Sequence, residues 1–427
     1  MPNFKNLPTP GYQYTVKRGD DLSTIEVQAY GYETGNLDDI HPFLQGRNRN
    51  PESGRLFVYT GDTLTIPELA KTKSEQQTKK ITNKRKDQIT IVLGDREIPF
   101  STCRILRTMD TAADAWTCSL AWVPGKDPEF DNLISPFSYT PAQVYIGNEL
   151  IINGSLYGVQ PQSTETGLTI VLTGFSFAAD VIDSTMPEPY EEENITGEER
   201  VNSTIKGMGI KAVFENIDSD PQFDRVVGEI TDTIFGHLSE LAFQRGILIS
   251  STPNGDLLFT RANVNGKSVG TLRSGSPLPL GWGANFDGRK LFNSIRAIGE
   301  SPGDAVKQAV SVDSNIPKSR FMTFKADNTT TGNIQDAANW KRSKQYAEAL
   351  TIPFPVTGLY APDGSLWREN KIVTVISAEI FVPNGFDFLI RQVEYQQTAD
   401  GNVTTLGLVP PEVYSGEEIE LNWETIK

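Results

Sequence analysis

Two histidines, two cysteines and five methionines in 427 residues leave little from which to build a metal centre or a disulfide scaffold. A structural zinc site usually takes four Cys/His ligands, and small secreted domains carry several disulfides, so neither class fits. No run of about 18 consecutive apolar residues is present, which leaves no membrane-spanning helix to expect. The Met1-Pro2-Asn3-Phe4-Lys5 start lacks the basic-then-apolar pattern of a signal peptide. Positive charge is also scarce: 39 Lys+Arg against 54 Asp+Glu give a net charge of −15. Such a balance argues against a chain built to coat nucleic acid or an anionic membrane, because both attractions come from Lys and Arg. No Ser-His-Asp order and no Cys/His metal spacing occur, and no pair of carboxylates stands out for glycoside hydrolysis. The expectation is a non-enzymatic chain with no catalytic residues, no cofactor and no metal.

Glycine and proline are plentiful, 36 and 26 residues, and between them lie many short Val/Ile/Thr-rich runs. That pattern predicts a multidomain, β-dominated α+β protein with frequent turns. Residues 71–86 carry seven positive charges against Glu75 alone and have no hydrophobic period, so they read as a solvated linker. Alternating runs over 89–180 predict an antiparallel sheet or barrel, with Gly147-Asn148 and Asn153-Gly154 as hairpin turns. Cys103 and Cys118 flank a turn at 110–114 about symmetrically and are expected to face each other as buried thiols. The glutamates between 188 and 199 predict an exposed loop. Apolar residues Ile230, Ile234, Leu238, Leu241 and Ala242 recur at helical spacing before Gly246, so a helix is expected over about 229–245. His237 beside that stripe has no second ligand in view and reads as an ordinary core or surface histidine. A second helix is expected near 333–349, with Ala337, Trp340, Tyr346 and Ala347 inward. Strands return after 351, with tight turns at Asp363-Gly364 and Asp400-Gly401. The resulting order is 1–70, linker 71–88, β domain 89–180, α/β 181–285, a second α/β segment 286–350, β domain 351–415 and tail 416–427.

The first unit carries Val16, Gly19, Asp20, Asp21, Leu22 and Ile25, then closes with Gly61, Leu64, Ile66 and Pro67. This resembles a LysM domain, a small βααβ unit whose strands and first helix share one core and whose helix Asp20 or Asp21 would cap. The resemblance implies either docking to neighbouring proteins or binding of peptidoglycan, and the long stretch 31–55 favours docking.

Most of the remaining chain resembles the baseplate hub proteins of contractile phage tails, the Mu-like and late-control D group. The resemblance rests on ordered short motifs: Gly174, Ser176, Asp180 and Asp183 in the first β domain, then Asp363, Gly364, Trp367, Asn370, Asp400 and Gly401 in the last. It implies two tube-like β-barrels per chain and a homotrimeric ring. That ring would join a six-fold tail tube above to a three-fold central spike below and let DNA pass without specific binding. It further implies assembly in the host cytoplasm, a place in the virion tail baseplate, and contacts of the LysM-like unit with baseplate wedge or other tail proteins. A LysM-targeted cell-wall-binding protein or peptidoglycan hydrolase is the alternative.

Overall fold

A computed structural model describes residues 13–18, 20, 25, 63–65, 84–164, 167–217, 222–243, 245–299, 307–326 and 334–419. The chain divides into two units, residues 1–71 and 72–427.

In the first unit, β1 (Gln13–Thr15) and β2 (Thr63–Thr65) pair antiparallel with Tyr14 opposite Leu64. Tyr14, Val16, Ile25 and Leu64 are buried. Asp20 closes the turn after β1: its Oδ2 accepts from the Tyr14 hydroxyl at 2.7 Å and the Lys17 amide at 2.8 Å. Gly19, Asp21, Leu22, Gly61, Ile66 and Pro67 lie outside the described residues, as does the basic stretch 71–83. Just beyond it, Lys84 pairs with Glu97 at 2.7 Å, and the exposed Lys86 Nζ donates to Gly364 O at 3.1 Å.

The second unit begins with β3 (Ile89–Leu93), β4 (Arg96–Ile98), β5 (Thr102–Thr108), β6 (Ala115–Ala121), helix α1 (Pro128–Leu133), β7 (Pro141–Ile146), β8 (Glu149–Thr164) and β9 (Gly167–Ser176). Period-two burial explains the pairing: in β6, Trp116, Cys118 and Leu120 point inward while their neighbours are half-exposed. Cys103 and Cys118 stand opposite each other across β5 and β6 as free, buried thiols. Burial pushes both thiols up, Cys118 to about 12. The Gly147-Asn148 pair makes the β7–β8 hairpin, as Ile146 pairs with Glu149. Asn153-Gly154 does not turn; it lies inside the long β8. A Cβ on Gly154 would sit 1.8 Å from Phe175 O, so glycine there permits close backbone approach.

Helix α2 (Asp180–Asp183), β10 (Glu191–Ile195), α3 (Gly197–Thr204), β11 (Ala212–Glu215), β12 (Phe223–Val227), α4 (Ile234–Phe243), β13 (Leu248–Ser251) and β14 (Leu257–Thr260) form the middle. The expected acidic loop is instead β10, paired with β12, followed by α3 with a Thr196/Glu199 capping box. Its glutamates are tolerated because they face water or pair with arginine. Helix α4 starts later than its apolar spacing predicts, and Ile230 is 69% exposed.

β15 (Ser268–Arg273), β16 (Asn285–Phe286), β17 (Ser294–Gly299), β18 (Lys307–Val312), β19 (Phe321–Lys325), α5 (Ile334–Ala349), β20 (Leu350–Thr357), β21 (Ile372–Ser377), β22 (Val382–Thr398) and β23 (Gly401–Val409) complete the chain. Of the residues expected inward on α5, Ala337, Tyr346 and Ala347 are buried and Trp340 is half-buried.

The β-dominated class holds, but the two β domains are not separate barrels. One sheet of 13 strands runs β16-β20-β23-β22-β5-β6-β9-β8-β7-β3-β4, with β21 on β22 and β15 on β21. Among the described residues its pairings close neither half into a barrel. The halves are joined because β5 pairs with β6 on one side and with β22 on the other. Sequence patterning shows which residues of a strand are buried, but not which distant strand lies beside it.

Candidate functional site

Strand β5 is the seam between the two halves, and its inward phase carries Cys103, Ile105 and then Arg107. Arg107 is 2% exposed. Its Nη1 donates to Ile151 O at 2.9 Å and its Nη2 to Ser251 O at 3.0 Å. The same Nη2 lies 2.9 Å from Glu369 Oε1 and 3.3 Å from Asp114 Oδ2. One guanidinium thus ties together β5, β8, the middle α/β hairpin and the loop before β21. Removing such a charge from water costs several kcal/mol, which only close anions and carbonyls recover. Burial opposes the charge on Arg107, but the Asp114 and Glu369 carboxylates outweigh it and hold its pKa above the ordinary arginine value.

Two carboxylates face this single cation, and the deeper one, Asp114, keeps its proton more readily than a free carboxyl. Burial lifts Asp114 above the usual carboxylate range, Arg107 pulls it down, and Glu369 pushes it up. Beside this cluster opens a cleft of about 410 Å³ lined by Arg107, Ser251, Asp256, Arg368, Glu369 and Asn370. No group of three or more His, Cys, Asp or Glu suited to a metal ion occurs among the described residues.

A second junction lies at the end of the same strand. A bulge between Ile390 and Gln392 of β22 re-aims Arg391, whose Nε donates to Asp110 Oδ2 at 2.9 Å and whose Nη1 donates to Ala347 O at 2.9 Å. The Tyr414 hydroxyl donates to the same Asp110 oxygen at 3.0 Å. Helix α5, the last strands and the first half of the sheet therefore meet at Asp110.

The sequence motifs fall around these junctions. A Cβ on Gly174 would come within 2.4 Å of the Trp116 ring, so glycine lets that buried indole lie flat on β9. Ser176 Oγ donates to Ala112 O at 3.1 Å and accepts from Asp114 N at 3.2 Å, which fixes the loop presenting Asp114. Asp180 accepts from the Tyr157 hydroxyl, while Asp183 ends α2 exposed. Asp363 Oδ1 accepts from Ser365 N at 2.9 Å, and Gly364 has φ +85°, so the expected turn forms. Trp367 is fully buried and its carbonyl accepts from the Tyr395 hydroxyl. Asn370, at φ +61°, accepts from Asn263 N at 2.7 Å and donates to Arg261 O at 3.2 Å, linking the last β region to the middle module. Asp400 and Gly401 turn β22 into β23 far from the junctions.

Arg107, Asp114, Glu369, Asp110 and Arg391 carry the junctions and were missed by the sequence motifs. The signal for Arg107 was present: a charged residue on the apolar phase of an alternating strand must have buried partners.

Comparison with known proteins gives this arrangement a context. Residues 178–261 match the second domain of the family described as baseplate hub protein gp44-like, and residues 330–417 match the fourth domain of Mu phage baseplate assembly protein GpP. Baseplate hub protein gp44 of Escherichia phage Mu is 23% identical over 328 residues, covering 73% of this chain and 85% of that protein. The chain is a relative of the baseplate hub proteins of Mu-like phage tails. A structural baseplate hub role goes with that kinship. The 43 kDa tail protein of prophage MuSo2 from Shewanella oneidensis shares the fold at TM-score 0.66 and 24% identity, over 76% of this chain and 98% of its own. A tail protein from Neisseria meningitidis MC58 does so at TM-score 0.62 and 19% identity, over 75% and 95%. Both are named as tail proteins, and of the two junction arginines Arg391 lies within the residues matched to the GpP fourth domain.

Proposed function

We propose that three copies of this hub protein form a ring that joins the tail tube above to the central spike below and leaves a passage for DNA. The observation that supports this most is the continuous sheet: two strand-rich regions, about 89–180 and 351–415, are locked together by β5–β22 pairing and the buried Arg107 cluster. A chain that supplies two rigidly linked wall segments yields six from three copies, matching a six-fold tube to a three-fold spike. Rigidity matters because the wall must keep its shape under the load of tail contraction. Closed rings of identical chains use heterologous contacts, and obligate interfaces of this kind bury on the order of 2,000 Å² or more.

In this reading residues 181–285 and 286–350 pack around the wall, and the net charge of −15 disfavours adhesion of passing DNA. The first unit is read as LysM-like. The antiparallel β1–β2 pair and the buried Tyr14, Val16, Ile25 and Leu64 support that reading. It docks to wedge or other tail proteins, with peptidoglycan as its other candidate partner. Assembly takes place in the host cytoplasm, the site of action is the virion tail baseplate, and no catalysis is involved.

The mass of the full-length protein, alone and mixed with its spike protein, tests the proposal. A trimer in either case supports it. A monomer in both overturns it, and one that also clears a cell-wall gel would point to a peptidoglycan hydrolase. Retention of the full-length chain on peptidoglycan would reassign the first unit from protein docking to glycan binding.

A further inference from the structure

Among the described residues, the three-stranded sheet β18-β17-β19 is covered on one side only. Ala297 and Ala309 on its inner face pack with Ala337 and Ala338 of α5, together with Phe324. The register places Ser294, Arg296 and Ile298, Gln308, Val310 and Val312, and Phe321, Thr323 and Lys325 on the opposite face. Alternation of side chains makes this assignment unambiguous. Phe321 is 74% exposed, Val312 58% and Val310 41%. The charged groups on this face are both positive, Arg296 and Lys325, and both are exposed. The outer edge of β18 is already engaged: Gln335 Nε2 donates to Val310 O at 3.2 Å and Arg342 Nη1 to Val312 O at 3.5 Å. These contacts hinder strand addition along β18, whereas the apolar and basic face offers a broader surface to a partner.

An opposite surface exists on the same chain. In the β10–β12 pair, Val227 is 41% exposed beside exposed Glu191 and Glu193, and the adjoining Ile230 is 69% exposed. Glu188, Glu198 and Glu229 are exposed around it, and Arg225, bound to Glu191 at 2.6 Å, brings the opposite charge. One surface is apolar and basic, the other apolar and acidic, and they lie on different elements. That is what a head-to-tail contact between copies requires, whereas a self-complementary pair would use one patch twice. A chain of net charge −15 also needs local opposite charge to approach its own kind.

We infer that the exposed β18-β17-β19 face docks on the acidic β10–β12 pair of a second copy of this chain. This rests on the ring reading above and names one contact within it. Three strands about 4.8 Å apart and about 20 Å long present roughly 300 Å². A standard interface uses about 800 Å² per partner, so this contact supplies a part of the subunit interface and sets its direction.

Charge exchange in the full-length protein tests the contact, with self-association followed by sedimentation velocity and the fold of each variant checked by its melting temperature. Arg296→Glu with Lys325→Glu, or Glu193→Lys with Glu229→Lys, is expected to weaken association about tenfold or more. All four substitutions together, which restore opposite charges in every contact, are expected to return it to within about threefold of wild type. A wild-type trimer insensitive to both pairs, or one that the fourfold exchange fails to restore, overturns the contact and leaves the ring reading standing. A wild type that stays monomeric with and without its spike protein overturns both. Duplex DNA retained by wild type and lost in Arg296→Glu, with association unchanged, would reassign the face to nucleic acid.

Discussion

Two arginines among the described residues are almost wholly buried, Arg107 at 2% and Arg200 at 1% exposed, and they differ in what they hold together. Arg200 works within one module. Its Nη1 donates to Pro189 O at 2.9 Å and pairs with Glu192, and its Nε donates to His237 Nε2 at 3.3 Å. All those partners lie between residues 189 and 237. Arg107 instead gathers Asp114, Ile151, Ser251 and Glu369 from four separate stretches of chain. The first cluster fixes a local α/β fold, while the second fixes the relation of the two halves of the large sheet. On the ring reading proposed above, that relation is the property on which the wall would depend.

Breaking the distant cluster should have the largest effect. Arg107→Met leaves the deeply buried Asp114 and the largely buried Glu369 without their cation, and about 3–5 kcal/mol of stability is expected to be lost. Denaturant unfolding measures it, and a loss below about 1 kcal/mol would show that the seam is held by backbone pairing alone. Arg200→Met should cost less, on the order of 1–3 kcal/mol, because its partner Glu192 is 21% exposed and keeps water when orphaned. If Arg200→Met proves the more damaging, the ranking of the two junctions is reversed.

The pH dependence sharpens the same contrast, since the two clusters slope in opposite directions. Asp114 is raised in the folded state, so the folded chain holds a proton that the unfolded chain releases. Its contribution is full below the ordinary carboxylate pKa near 4 and is lost as pH rises through the elevated folded value. His237 is lowered to about 4, chiefly by burial and then by the Arg200 charge. Its contribution is full above about 6.5 and is lost as pH falls towards 4. Asp114→Asn should remove the first slope and leave the second, and His237→Gln should do the reverse, as melting temperatures across pH 4–8 would record. The smallest effect is expected at the surface. Arg104, 57% exposed, pairs with Glu394 across the β5–β22 seam at 2.6 Å, and Arg104→Ala should cost about 1 kcal/mol or less. A larger loss would mean that the seam depends on its surface charges as well as on its buried ones.

Part of this organisation is legible in the sequence alone. The Asp400-Gly401 turn, the pairing of Cys103 with Cys118 and the helix over Ile334–Ala349 follow from turn chemistry and periodicity, which act over a few residues. The acidic segment was misread because Glu191 and Glu193 are exposed in a strand as they would be in a loop. Alternation shows its meaning only once the β12 partner is known. Asn153-Gly154 was misread for a related reason: a turn and a close crossing both demand glycine, and Phe175 decides between them.

The sequence by itself determined that this is a β-rich chain poor in catalytic residue types, with turns, helices and hub motifs in a fixed order. Those properties depend on side chains and their near neighbours. The tertiary structure decided that the two β regions form one sheet through β5 and β22, and that Arg107 and Arg391 lock it. It also decided that Val310, Val312 and Phe321 are left facing outward. Strand neighbours and buried charge partners are chosen across hundreds of residues by burial, and no local pattern specifies them.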